Sequence, residues 1–149
     1  MKDPRAMSSW RLGRALVAAI VLMPAAGVCD DIKDEVVIRC HYYMGEFGSQ
    51  AVEACIEDDL AAERALSQYP QETRKTIARC AQRKRQNGWA MIKQCVDRDL
   101  EAEAAITKYP EEHTTLIAKC QEEVGRYGPA RVKECADRQI EAAAATKKD

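Results

Sequence analysis

Six of the seven cysteines fall at 40, 55, 80, 95, 120 and 135, and the two histidines at 41 and 113. By type, these residues could hold a metal, exchange disulfides or act as nucleophiles. Spacing removes most of those options. Zinc sites usually set ligands two to four residues apart before a longer loop, and no pair here does so. A thioredoxin-type redox centre needs Cys-x-x-Cys, which is absent. A c-type haem needs a cysteine three residues before the Cys-His pair, and Val37 stands there ahead of Cys40 and His41. No Gly-rich phosphate loop occurs. The acidic cluster Glu57, Asp58, Asp59 returns in part as Asp97, Arg98, Asp99. Arg98 and Arg138 alternate into it, which argues against a divalent cation, and Glu134 with Arg138 has the spacing of a helix-surface ion pair. No catalytic residue, metal ligand or cofactor is assigned.

What the cysteines do have is a period. Each pair encloses fourteen residues and recurs after 40. Gly48, Gly88 and Gly128 follow the same period, as do Ala62, Ala102 and Ala142, and Val52, Ile92 and Val132. His41 aligns with Ala81 and Gln121, so it belongs to no recurring site. A period of this length means stacked supersecondary units. Val52, Cys55, Ile56, Leu60 and Leu66 recur at three- and four-residue steps, and Ile92, Cys95, Val96, Leu100 and Ile106 repeat them. That is one apolar helical stripe per unit. The glycines lie where one helix must end. Tyr69-Pro70 and Tyr109-Pro110 mark the corners between units, with each proline suited to a first helical position.

The register of the cysteines predicts their partners. Cys40 and Cys55 stand about seven residues on either side of Gly48, or ~10 Å up two antiparallel helices. Cys80 with Cys95 and Cys120 with Cys135 are placed alike around Gly88 and Gly128. Small alanines nearby allow the close approach a bridge needs. A rival pairing of Cys55 with Cys80 and Cys95 with Cys120 around the Tyr-Pro corners is compatible with the same register, but it strands Cys40 and Cys135. The expected fold is all-α: three tandem 40-residue disulfide-stapled antiparallel hairpins, arranged as a short solenoid or a bundle.

Residues 1–27 read as a signal peptide. Lys2, Arg5, Arg11 and Arg14 precede the apolar run from Ala15 to Met23, and Pro24, Ala25, Ala26 and Gly27 offer small residues for cleavage. The run falls short of the ~20 residues that span a bilayer, and no later segment could span one. Removal leaves 19 basic and 23 acidic residues, a net charge of −4, with no bias toward nucleic acid. The basic run Arg83, Lys84, Arg85 fits a helix C-terminus. Residues 28–37 form a lead-in, and the repeats are set at 38–77, 78–117 and 118–149. Cys29 is a candidate for lipidation or for an intermolecular bridge joining a dimer. Ala26 and Gly27 suit a lipoprotein signal, whereas Val28 departs from it. Export, to the periplasm or beyond the cell, favours oxidised cysteines.

The stapled hairpins resemble the coiled coil-helix-coiled coil-helix proteins, although those carry two bridges per hairpin at nine-residue spacing. The tandem array is similar to tetratricopeptide-like solenoids, whose period is shorter and whose signature residues are missing. Both resemblances are of architecture and imply a scaffold or partner-binding role. The aromatics Tyr42, Tyr43, Phe47, Trp89 and Tyr127 cluster near the glycine bends and are the candidate partner surface, unless they seal the bends. The expected function is an exported, non-enzymatic structural or protein-interaction module. The alternative is a metal-binding or thiol-redox protein using the paired cysteines.

Overall fold

A computed structural model describes residues 27–146, with side chains from 31 to 145. The signal segment (but for Gly27) and the last three residues lie outside it, as does the side chain of Cys29. The described chain forms six helices and no strand: α1 (Gly27–Met44), α2 (Ser49–Ser67), α3 (Arg74–Lys84), α4 (Trp89–Ile106), α5 (Thr114–Val124) and α6 (Pro129–Thr146). A 3₁₀ turn precedes each glycine corner and follows each Tyr-Pro corner.

The disulfides join Cys40 to Cys55, Cys80 to Cys95 and Cys120 to Cys135, with Cα separations of 5.7, 5.8 and 5.8 Å. These lie within the roughly 4.4–6.8 Å that a bridge requires. Each staple closes one hairpin, and the pairing across the Tyr-Pro corners does not occur. Each closed loop contributes about 3 kcal/mol by restricting the unfolded chain.

The hairpin corners need glycine. Gly48, Gly88 and Gly128 hold φ of 93°, 93° and 106° with extended ψ, a region open essentially to glycine alone. One such residue ends a 3₁₀ turn and starts the next helix, so two long helices reverse with almost no loop. The prolines sit one step earlier than expected. Pro70 and Pro110 precede the 3₁₀ turns in an extended conformation, and their carbonyls accept from Thr73 and His113.

Hairpin packs on hairpin in order, α2 on α4 and α4 on α6, while the first helices pack on their own partners. The arrangement is a short solenoid. Three small cores follow. Val36, Cys40 and Val52 fill the first; Leu66, Cys80, Ile92, Cys95 and Val96 the second; Cys120, Val132, Cys135 and Ala136 the third. The stretch 28–37 is not a separate lead-in. It is helical, because Ile32, Val36 and Cys40 follow at four-residue steps and close the first core. Boundaries at 77/78 and 117/118 fall inside α3 and α5, and the hairpins meet at the Tyr-Pro corners instead.

Candidate partner-binding surface

What a solenoid presents to a partner depends on how rigidly its units are registered. Here a buried carboxylate does the registering. Asp59 of α2 is 4% exposed, pairs with the Arg39 guanidinium of α1, and accepts from the Ala90 amide in the first turn of α4 at 2.8 Å. One hairpin later Asp99, 3% exposed, pairs with Arg79 at 2.9 Å and accepts from the Ala130 amide of α6 at 3.2 Å. Each carboxylate thus satisfies an orphan amide at the positive end of the next hairpin's second helix. We call this contact the clasp. It also explains why Gly88 and Gly128 are buried while Gly48 is exposed. A Cβ on Gly88 would lie 2.5 Å from Asp59, and one on Gly128 would lie 2.5 Å from Asp99, whereas nothing comes within 4 Å at Gly48.

A second cross-hairpin bond comes from the Tyr-Pro corners. The Tyr69 hydroxyl donates to Asp97, and the Tyr109 hydroxyl to Asp137. Lys93 and Lys133 complete the two networks at 2.7 and 2.6 Å. Bonding to Asp97, then burial, raises the Tyr69 pKa; burial, then the bond to Asp137, raises that of Tyr109. Burial pushes the Asp97 carboxyl up, yet the Lys93 and Tyr69 bonds outweigh it and hold the group below its usual range. At Asp137 the Lys133 and Tyr109 bonds likewise prevail.

The cysteines that chemistry would need are engaged. Cys80, Cys95 and Asp99 bring three buried donor atoms within 4.8 Å of one another, but both sulfurs belong to a disulfide and offer no thiolate. His41 is exposed in the last turn of α1, and His113 lies beside Glu112 at 3.7 Å in the turn before α5. No helix among the described residues is long and apolar enough to cross a membrane. Three intramolecular disulfides fit an oxidising compartment.

The five candidate aromatics divide. Tyr42, Tyr43 and Phe47 are solvent-exposed at the C-terminal end of the first hairpin's helix, Tyr42 at 80% and Phe47 at 67%. The Tyr42 and Tyr43 rings meet edge to face at 5.0 Å. Ile38, 69% exposed, and Met44 extend the same patch. Trp89 is elsewhere. It is half-buried between the first and second cores and glues the hairpins together. Tyr127 is exposed at the third corner, between the guanidiniums of Arg83 and Arg126.

No protein-family model, curated protein or solved structure matches the chain. Its own three hairpins therefore supply the comparison. Where hairpin 1 has Ile38, Tyr42, Tyr43, Met44 and Phe47, hairpin 2 has Ala78, Gln82, Arg83, Lys84 and Asn87. Beside the patch runs an open groove of about 1090 Å³ between α1 and α3. Ile38, Tyr42 and Tyr43 line one wall with Asp34 and Glu35, and Arg83 stands on the other. Sequence reading did not single out Ile38, Met44, the clasp or this groove. The signal was present: Arg39 and Arg79, like Asp59 and Asp99, are one period apart.

Proposed function

We propose that this chain is an exported, non-enzymatic protein-interaction module whose docking face is the C-terminal half of α1 with the groove beside it. One observation carries the reading. Ile38, Tyr42, Tyr43 and Phe47 remain exposed at positions that the same scaffold fills in hairpin 2 with Ala78, Gln82, Arg83 and Asn87. The fold does not require large apolar side chains there, so their use lies outside the fold. Exposed clusters of this kind mark interaction sites, and aromatic anchors dominate interface energetics. Asp31 and Asp34 flank the patch on one side and Arg83 on the other, while Glu35 is paired with Arg39 and Arg85, so the fitting partner is a protein that presents apolar side chains bordered by charges of both signs. Disulfide staples and clasps keep the face preorganised, which reduces the ordering cost of binding. The leading segment, with its basic start and apolar run, supports export. Cys29, near the N-terminal end of the helix that carries the patch, is the point at which lipid or a second chain would anchor the module.

The test separates binding from folding. Tyr42→Ala, Tyr43→Ala and Phe47→Ala remove exposed groups, so each alters stability by less than about 0.5 kcal/mol. A photo-crosslinking residue at position 42 yields a defined adduct in the native compartment, and one at position 122, the exposed counterpart in hairpin 3 away from this groove, does not. Affinity for the captured partner falls about tenfold or more for each anchor removed. Equal adducts at positions 42 and 122, or unchanged affinity in the triple variant, refutes the assignment. The metal-binding or thiol-redox reading predicts six titratable thiols and bound metal in protein purified without reductant; a thiol assay and metal analysis on that sample decide against one of the two.

A further inference from the structure

The near-neutral total charge conceals a segregation. Residues 31–70 carry nine acidic and three basic side chains, whereas residues 71–110 carry five acidic and nine basic. At the junction of hairpins 2 and 3 the fold gathers one of those cations, Arg83, with three from hairpin 3. Arg83 of α3 and Arg131 and Arg138 of α6 line one open groove of about 310 Å³ with Val124, Tyr127 and Glu134. The Arg126 guanidinium lies 4.7 Å from the Tyr127 ring centroid and that of Arg83 lies 5.8 Å away. Arg83 also donates to the Tyr127 carbonyl, and Arg126 to the Tyr127 hydroxyl at 2.7 Å. Tyr127 thus fixes two guanidiniums whose long side chains would otherwise wander. The groove's own lining sets one carboxylate against these four arginines, Glu134, held by Arg131 at 2.6 Å, while the adjoining cleft that Arg131 and Arg138 also line carries Glu101, Asp137 and Glu141.

The scaffold does not demand this cluster. The junction of hairpins 1 and 2 uses the same clasp, yet the places of Arg83, Arg126 and Arg131 are taken there by Tyr43, Gln86 and Met91. Like charges held close together are unfavourable in isolation and favourable around an anion. Guanidinium forks match the paired oxygens of a phosphate better than an ammonium does. Arg138 uses Nε on the Glu134 carbonyl at 3.3 Å and lines the groove. The Glu134 salt bridge joins exposed partners three residues apart, a contact weak enough for a dianion to displace.

We infer that this groove is an oxyanion site that takes a phosphate group on Arg83, Arg131 and Arg138, with Tyr127 and Arg126 as its rigid wall. The phosphate comes either as the free ion or on a lipid headgroup, and Arg83, which also stands on the far wall of the α1 groove, is the residue the two sites share.

The test uses the full oxidised protein at low ionic strength, where surface charge is least screened. In one arm inorganic phosphate is titrated while backbone and arginine Nε resonances are followed. In the other, vesicles of phosphatidylcholine alone are compared with vesicles containing phosphatidylglycerol. We expect saturable shifts at Arg83, Arg126, Arg131 and Arg138. Arg138→Gln weakens binding about tenfold, as the loss of one charge-assisted bond implies. Glu134→Gln tightens it by removing the internal competitor, and Arg74→Gln, at the far end of α3, leaves it unchanged. Saturation by the free ion alone identifies a soluble ligand, and recruitment to the anionic vesicles identifies a headgroup; both support the site. Absence of saturation in both arms overturns it. So does equal weakening by Arg138→Gln and Arg74→Gln, or weakening by Glu134→Gln.

Discussion

Asp99→Ala tests the clasp, on which the rigidity of the array rests. The substitution removes a 3% exposed carboxylate and three contacts with it: the Arg79 ion pair at 2.9 Å, the Ala130 amide at 3.2 Å, and a weak approach to the Cys80 sulfur at 3.8 Å. Removing one partner of a fully buried pair costs about 3–5 kcal/mol, because the other charge is left without compensation. The Arg79 side chain is 26% exposed, so water recovers part of that charge, although its Nε is already buried without a partner. The freed Ala130 amide adds a loss of about 1 kcal/mol that overlaps with the first. The expected total is about 3 kcal/mol, a large share of the ~5–15 kcal/mol that holds a domain together. Stability in a linear array is a sum of units and junctions, so the loss should be local. Urea unfolding with disulfides intact gives the magnitude, and native-state hydrogen exchange gives the place: amides of α5 and α6 exchange faster while those of α1 and α2 keep their protection. In a double-mutant cycle with Arg79→Ala the two changes are non-additive by about 1–3 kcal/mol. A loss under about 0.5 kcal/mol, or deprotection spread evenly over all three hairpins, refutes the reasoning.

Three further outcomes follow from the same geometry. Gly48→Ala and Gly128→Ala both force a side chain into a region that costs about 1–3 kcal/mol, but only the second drives a Cβ against a clasp carboxylate, so Gly128→Ala is the more destabilising in thermal melts. Replacing Cys120 and Cys135 by serine lowers unfolding free energy by about 3 kcal/mol, read by denaturant titration, with hairpin 1 exchange unaffected. Asp97 and Asp137 have folded pKa values below their unfolded ones, so their contribution is present above the ordinary carboxylate range and is lost as pH falls through it; Tyr69 and Tyr109 have raised values, so theirs is present below pH ~10 and is lost as pH rises beyond that. Melting temperature against pH should fall at both ends, and Tyr109→Phe should flatten the alkaline limb.

Much of this architecture was legible in the chain. The 40-residue period and the near-equal offsets of the cysteines, eight residues before and seven after Gly48, Gly88 and Gly128, dictate the staples, because antiparallel helices leaving one corner bring residues at matching distances together. The clasp was harder to see. Asp59 sits in the run Glu57, Asp58, Asp59 and looks like one more exposed acid until α4 is placed against it. The Tyr-Pro dipeptide reads as a corner, and only the packed structure sends its hydroxyl to an aspartate 28 residues away. Trp89 reads as a surface aromatic because it follows a glycine bend, yet that bend is where the preceding hairpin lands. The α1 patch was located only in part, since exposure at Ile38 and Met44 depends on how far α1 and α3 diverge.

The departures from the repeat are more informative than the repeat. Arg39 and Arg79 become Lys119 in hairpin 3, and Asp59 and Asp99 become Gln139, which turns its amide onto the Cys120 and Cys135 sulfurs at 3.6 and 3.5 Å. At the other end, Trp89, Ala90 and Lys93 have Ser49, Gln50 and Glu53 as their counterparts in hairpin 1, all exposed. The clasp carboxylate and arginine are thus present at both internal junctions and replaced in hairpin 3, while hairpin 1 keeps the corner glycine and first-turn amide but not the side chains that flank them at the junctions. Two copies set end to end would bring Gln139 to a helix start that carries Gln50 and Glu53, with no buried ion pair and like-sized polar groups to desolvate. Head-to-tail stacking, the ordinary hazard of a repeat with open ends, is disfavoured at each face. The flanks of the array, by contrast, are where the exposed α1 patch and the arginine groove depart from their counterparts in the neighbouring hairpins, which is why the docking face and the oxyanion site are both proposed there.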